Sequence, residues 1–165
     1  MRSIIVALTT LIGWSGCAIG QDKQYNLRVK RAGSNVYESR GVLIHTKYCY
    51  KYTYGEDALL GWNGRNGWII FTDSDQRCQV SRVLVAGTQL PGRYSITVSR
   101  EEDDLYEIVG MNVFLKTSMC LDLGLMQQAI LDWRGIGGQI TFLPSVGIST
   151  TASSCTIEGL WVLAK

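Results

Sequence analysis

Tyr25, Leu27 and Val29 alternate with Asn26, Arg28 and Lys30, and Tyr94, Ile96 and Val98 repeat that alternation in the second half of the chain. A period of two marks a strand with one face buried and the other in water. From Val42 to Tyr54 the even positions are Val, Ile, Thr and four Tyr, while the odd ones are Leu, His, Lys, Cys, Lys and Thr. One strand with an aromatic face and a largely polar face is expected there, the aromatic face being core. Ala58 to Trp62 and Trp68 to Thr72 flank Asn-Gly-Arg-Asn-Gly, whose residues tolerate positive φ, and so form a hairpin. Arg77 to Val85 and Ser154 to Leu163 read as further strands. Leu121 to Leu131 reads either as strand or as a helical turn or two. Eight to ten strands with turn signals at short intervals predict an all-β fold, an antiparallel sandwich or a small closed barrel.

The pattern is written twice. Thr46 to Phe71 and Thr117 to Phe142 align without gaps at a shift of 71, with nine of 26 positions identical. The identities include Cys49/Cys120, Trp62/Trp133, Gly64/Gly135, Gly67/Gly138 and Phe71/Phe142. Upstream, YNLRVKR at Tyr25 matches YSITVSR at Tyr94; downstream, Cys78-Gln79-Val80 matches Cys155-Thr156-Ile157 after an insertion in the second copy. Long-period self-similarity decides architecture before local detail does. The expected arrangement is residues 21–90 as a first repeat and 91–165 as a second, two tandem homologous halves related by a pseudo-two-fold and sharing one core. A half of about 65 residues standing alone would be marginal in buried surface.

The N-terminus changes the compartment. Met1-Arg2-Ser3 is a short cationic head, Ile4 to Trp14 is apolar, and Ala18-Ile19-Gly20 supplies the small residues that signal peptidase requires, so residues 1–20 read as a signal peptide removed after Gly20. An apolar run of this length is too short to span a bilayer, which leaves no transmembrane segment in the mature chain. Ser15-Gly16-Cys17 also resembles a bacterial lipoprotein box, the alternative being a lipid anchor through Cys17. Either route leaves Cys49, Cys78, Cys120 and Cys155, an even set in an exported, periplasmic or secreted protein. Because Cys49 and Cys120 are equivalent, as are Cys78 and Cys155, the duplication selects the bridges Cys49 to Cys78 and Cys120 to Cys155.

Charge and chemistry narrow the function only by exclusion. Sixteen basic against 14 acidic residues give a net charge of +2, without the basic footprint of a nucleic-acid binder. The chain has one His and no CxxC spacing, so neither a metal site nor a cofactor is expected. No serine, cysteine or carboxylate motif stands beside His45, so a nucleophile and base pair is unsupported. Glu56-Asp57 reads as a polar turn. Glu101 to Asp104 reads as a solvated hairpin tip without the ligand spacing of a calcium loop. Ile148 to Ser154 reads as a loop. What differs between the copies is charge: residues 21–87 carry ten basic and six acidic side chains, net +4, and residues 93–165 carry five and eight, net −3. Lys47, Lys51 and Arg65, with His45 at their margin, stand where the second copy has Ser118, Asp122, Ile136 and Lys116. They are the expected binding residues, and an acidic protein or an anionic envelope polymer is the expected partner. The resulting expectation is an exported, disulfide-stapled, non-catalytic binding or inhibitory module. An extracytoplasmic hydrolase or a structural envelope lipoprotein are the alternatives.

Overall fold

The computed structural model describes residues 23–144 and 152–165. The expected signal peptide, Cys17, and most of the Ile148 to Ser154 loop lie outside the described residues. Within them the chain forms twelve strands, all paired antiparallel, and no helix. The first six are β1 (Lys23–Gly33), β2 (Val36–Ser39), β3 (Val42–Lys47), β4 (Tyr54–Trp62), β5 (Gly67–Phe71) and β6 (Gln76–Ala86). The other six are β7 (Gly92–Glu102), β8 (Leu105–Ile108), β9 (Val113–Ser118), β10 (Gln127–Trp133), β11 (Gly138–Phe142) and β12 (Ser153–Leu163).

Strands β1, β2, β3, β6, β5 and β4 pair in that order, and β4 pairs back to β1, so the ring of pairings closes. Strands β7, β8, β9, β12, β11 and β10 close in the same order. Closure leaves no free sheet edge within a ring and resolves the expected choice between sandwich and barrel toward barrel. Registers recur as well. Ala58 faces Phe71 and Trp62 faces Gly67, as Ala129 faces Phe142 and Trp133 faces Gly138.

The shared residues have separate physical reasons. Gly64 and Gly135 sit at φ of 91° and 99°, in turns where a Cβ is strained. Gly67 and Gly138 are required by space instead: a Cβ would lie 2.3 Å from the Gly61 carbonyl oxygen in one ring and 2.2 Å from that of Asp132 in the other. Trp62 and Trp133 are buried, and their indole N–H groups donate to the carbonyls of Ala164 (3.4 Å) and Gln89 (3.0 Å). Cys49 is bonded to Cys78 and Cys120 to Cys155, the pairing that the duplication selects, with Cα atoms 5.7 and 5.5 Å apart.

Buried side chains form three clusters. Val29, Tyr37, Ile44, Trp62, Ile69 and Phe71 belong to the first ring's cluster; Val98, Tyr106, Leu115, Trp133, Ile140 and Phe142 belong to the second's. A smaller third cluster joins Leu43 and Leu84 of one repeat to Leu105, Phe114 and Trp161 of the other. It lies beside a short ladder in which Leu84, Val85 and Ala86 of β6 pair with Leu163, Val162 and Trp161 of β12. Each large apolar side chain buried there contributes roughly 1.5–3 kcal/mol, so the repeats are held by packing more than by three paired residues.

Two expectations are overturned here. The strand expected over Val42 to Tyr54 stops at Lys47, Tyr48 turns to a φ of 53°, and residues 48–53 have no regular structure before β4 begins. Its tyrosines are not core: Tyr48, Tyr50, Tyr52 and Tyr54 are 69–94% exposed. The reason is that the odd positions are fastened inward, Cys49 by its bridge, Lys51 through its carbonyl, and Thr53 by its hydroxyl, which bonds the Val29 carbonyl and the Glu56 amide. In the second repeat the chain from Met119 to Met126 is likewise irregular, so Leu121 to Leu131 forms no helical turn, and β10 starts only at Gln127.

Candidate functional site

The exposed tyrosine segment is held by a set of contacts that both repeats possess. Asn35, at the β1–β2 turn with a φ of 57°, accepts the Cys49 amide on Oδ1 at 2.8 Å and the Thr46 hydroxyl on its carbonyl at 2.9 Å. Tyr37, stacked at a tilt on Phe71 with centroids 5.0 Å apart, reaches out of the core to donate its hydroxyl to the Lys51 carbonyl at 2.8 Å. Burial raises the Tyr37 hydroxyl above the usual tyrosine value, so it stays a donor. Asp104, Thr117, Tyr106 and Phe142 repeat the arrangement. Asp104 accepts the Cys120 amide at 3.0 Å, and the Tyr106 hydroxyl donates to the Asp122 carbonyl. Each irregular segment is therefore bridged, capped and propped, and what it displays is left to the outward positions.

What is displayed differs. The first repeat shows Tyr48, Tyr50, Tyr52 and Tyr54, with the Arg31 guanidinium 4.1 Å from the Tyr52 ring centroid, a cation–π contact that fixes the ring. The second shows Met119, Leu121, Leu123, Leu125 and Met126, 61–91% exposed.

The sequence-derived site residues are dispersed by the fold. Lys47 is exposed at the end of β3, beside Tyr48. Lys51 is not a free cation: its ammonium lies 3.2 Å from the buried Glu56 carboxylate and 3.0 Å from the Ser74 hydroxyl. Glu56 is accordingly no turn residue but the inward anchor of β4, also accepting the Asp73 amide at 3.1 Å. Arg65 is exposed at the β4–β5 tip, at the opposite end of the nine-residue β4 from Tyr54, about 25–30 Å away at ~3.3 Å per residue.

His45 is buried, with 3% of its surface exposed. Its Nδ1 lies 2.9 Å from Glu102 Oε1 across the junction between the repeats. Arg82 extends the contact to Glu101 and Glu102 at 3.3 and 3.5 Å and covers the Phe114 ring. The Glu101 to Asp104 tip is thus a clasp on the first repeat as well as a hairpin tip. Desolvation raises the Glu102 carboxyl, but the hydrogen bond and charge of His45, with Arg82, outweigh it and hold the group below the usual glutamate range. A groove of about 570 Å³ opens beside this clasp, its walls including Asn35, Thr46, Glu102, Asp104 and Lys116. His45 Nε2 is sealed from solvent and has no hydrogen-bond partner, so the His–carboxylate pair has no hydroxyl or thiol to activate. Among the described residues no three metal-ligating side chains converge.

One signal in the sequence points to the clasp. His45, Arg82, Glu101 and Glu102 occupy positions at which the other copy has Lys116, Gly159, Ala32 and Gly33. The ion pairs of this junction join unlike side chains, so they are formed once rather than twice, and these four positions differ together. The comparisons with known proteins are empty: no protein-family model, no curated protein and no solved structure matches this chain.

Proposed function

We propose that this chain is an exported, disulfide-stapled, non-catalytic binding module. Its recognition surface is the tyrosine segment Tyr48 to Tyr54 with Lys47 and Arg31, and its partner is an acidic protein surface. The two bridges belong to chains oxidised outside the reducing cytoplasm, and the cationic head, apolar run and small-residue cleavage site Ala18-Ile19-Gly20 of the sequence support periplasmic or secreted release. No helix among the described residues is long and apolar enough to cross a membrane. Tandem halves related by a rotation near two-fold fit the recurring registers.

The observation that carries the reading is the exposure of four tyrosines on a segment whose backbone is already immobilised. Tyr and Arg dominate the energetics of protein interfaces because they bury a large amphipathic area with few rotatable bonds. A segment fixed before binding loses little entropy on binding. Lys47, Arg31 and the net +4 of the first repeat set the sign of the partner. Lys51 acts here through Glu56, as a support of the segment, and Arg65 stands apart from it.

The test is capture from an extracytoplasmic extract by the immobilised mature chain. The parent is expected to retain acidic proteins that raised salt releases, since exposed charges are screened within ~8 Å at physiological ionic strength. Tyr50→Ser with Lys47→Ser is expected to retain none of them. A variant that captures the same set as the parent would remove the reading.

A further inference from the structure

We infer that the acidic partner of the tyrosine segment is a second copy of this chain, docked through the exposed Met119 to Met126 segment of its second repeat. The inference rests on the binding-module reading and names the occupant of that face. Five large aliphatic side chains exposed within eight residues make an apolar surface of the kind that monomeric proteins rarely leave uncovered. They stand on a segment fastened by the Cys120–Cys155 bridge, the Asp104 cap and the Tyr106 prop, the three contacts it shares with its counterpart. Within one copy neither segment covers the other, since both are exposed.

Charge identifies the mate. Glu101 and Glu102 are taken up by the clasp. Asp104, which caps Cys120, Asp122 within the aliphatic segment, and the wholly exposed Asp103 stand there against one cation, Arg100, 3.3 Å from Asp103, so the border of the segment is net acidic. Lys47 and Arg31 border the tyrosines. Tyrosine segment on tyrosine segment would bring cations together, and aliphatic on aliphatic would bring carboxylates together. The unlike contact alone joins opposite signs while both apolar surfaces leave water. Four tyrosines able to bury about 150–250 Å² each supply a large part of the ~800 Å² per partner of a standard interface. Met and Leu fit such rings because an unbranched or singly branched aliphatic chain adapts to an aromatic edge.

The experiment is sedimentation velocity on the mature chain over a concentration series, at low and high salt. Two variants accompany it, Tyr50→Ser with Tyr52→Ser, and Leu121→Ser with Leu123→Ser. The altered side chains are exposed, so both variants are expected to melt with the parent. The parent is expected to self-associate, less so at high salt. Each variant alone is expected to associate at least about tenfold more weakly. An equimolar mixture of the two is expected to recover association, because each supplies the surface the other lacks.

Loss in the leucine variant with none in the tyrosine variant would show like-on-like pairing and overturn the inference, as would a mixture that does not recover. A monomeric parent that binds zwitterionic lipid vesicles, and ceases to in the leucine variant, would assign the aliphatic segment to a lipid surface instead. A monomeric parent that still captures acidic proteins through its tyrosines removes this inference alone. If that capture is absent too, the binding-module reading falls with it.

Discussion

Tyr37 and Tyr106 do the same work in the two repeats, whereas Tyr48 and Met119 do not. The first pair sits in matched cores, packs on matched phenylalanines and props matched segments by one hydroxyl each. The second pair shares a left-handed backbone, at φ of 53° and 49°, and stands beside matched bridges, yet one side chain is aromatic and the other aliphatic. Where the contacts recur in this detail, the outward position is held alike while the chemistry it carries differs. Divergence at 48–54 against 119–125 is therefore informative in a way that divergence at a loosely held loop would not be, since the backbone beneath it carries the same bridge, cap and prop in both copies.

The largest expected effects test whether the scaffolds are matched. Trp62→Ala and Trp133→Ala are each expected to destabilise by roughly 3–5 kcal/mol, as for other large aromatic truncations in cores, and by similar amounts. Chemical denaturation of the two variants checks this; a loss confined to one of them would break the equivalence. Next comes the ion pair that only the first repeat has. Lys51→Ala leaves the Glu56 carboxylate without its cation and is expected to cost roughly 1.5–3 kcal/mol, while exposed Lys47→Ser changes stability within about 0.5 kcal/mol. Equal, small effects would return Lys51 to the class of free surface cations.

Smaller again, Tyr37→Phe and Tyr106→Phe remove one hydroxyl each from beneath the display segments. A cost of about 1–2 kcal/mol is expected in each case, with faster amide exchange confined to residues 48–53 in the first variant and 119–126 in the second. Exchange that rises elsewhere would mean that the hydroxyls do not fasten the segments.

The smallest effect separates the repeats by pH. The Glu102 carboxyl is held below its ordinary range in the folded state, so its contribution is present above that range and is lost as the pH falls from there through the depressed folded value. Glu102 is partly solvated, which keeps the effect modest. Glu102→Gln, which cannot ionise, is expected to flatten the acid limb of the melting-temperature profile. An unchanged limb would remove the clasp from the account of acid stability.

These effects also divide what the sequence discloses from what it hides. Bridges, buried tryptophans and hairpin glycines were legible because covalent and steric needs had been recorded twice, at Cys49/Cys120, Trp62/Trp133 and Gly67/Gly138. The outward tyrosines were not. Apolarity alone sends Tyr50 and Tyr52 inward, and what sends them outward is a bridge to a cysteine 29 residues away and a hydroxyl 14 residues back. The His45–Glu102 contact spans 57 residues and two repeats, and local alternation carries no record of a partner at that distance. Lys51 looked like an exposed cation because Glu56 resembled a turn residue, and only the register of β4 turns that carboxylate inward.

The measurement that bears most directly on the account is an exchange of display within the fixed scaffold. Tyr48→Met, Tyr50→Leu, Tyr52→Leu and Tyr54→Leu together give the first repeat the second repeat's own residues at all four outward positions. The melting temperature is expected to stay close to that of the parent, because every altered side chain is exposed and, although the Arg31–Tyr52 cation–π contact is lost, the bridge, cap and prop are untouched. Both self-association and capture of acidic proteins are expected to be lost. A variant that unfolds, or that binds as the parent does, would contradict the claim that recognition resides in what the two repeats do not share.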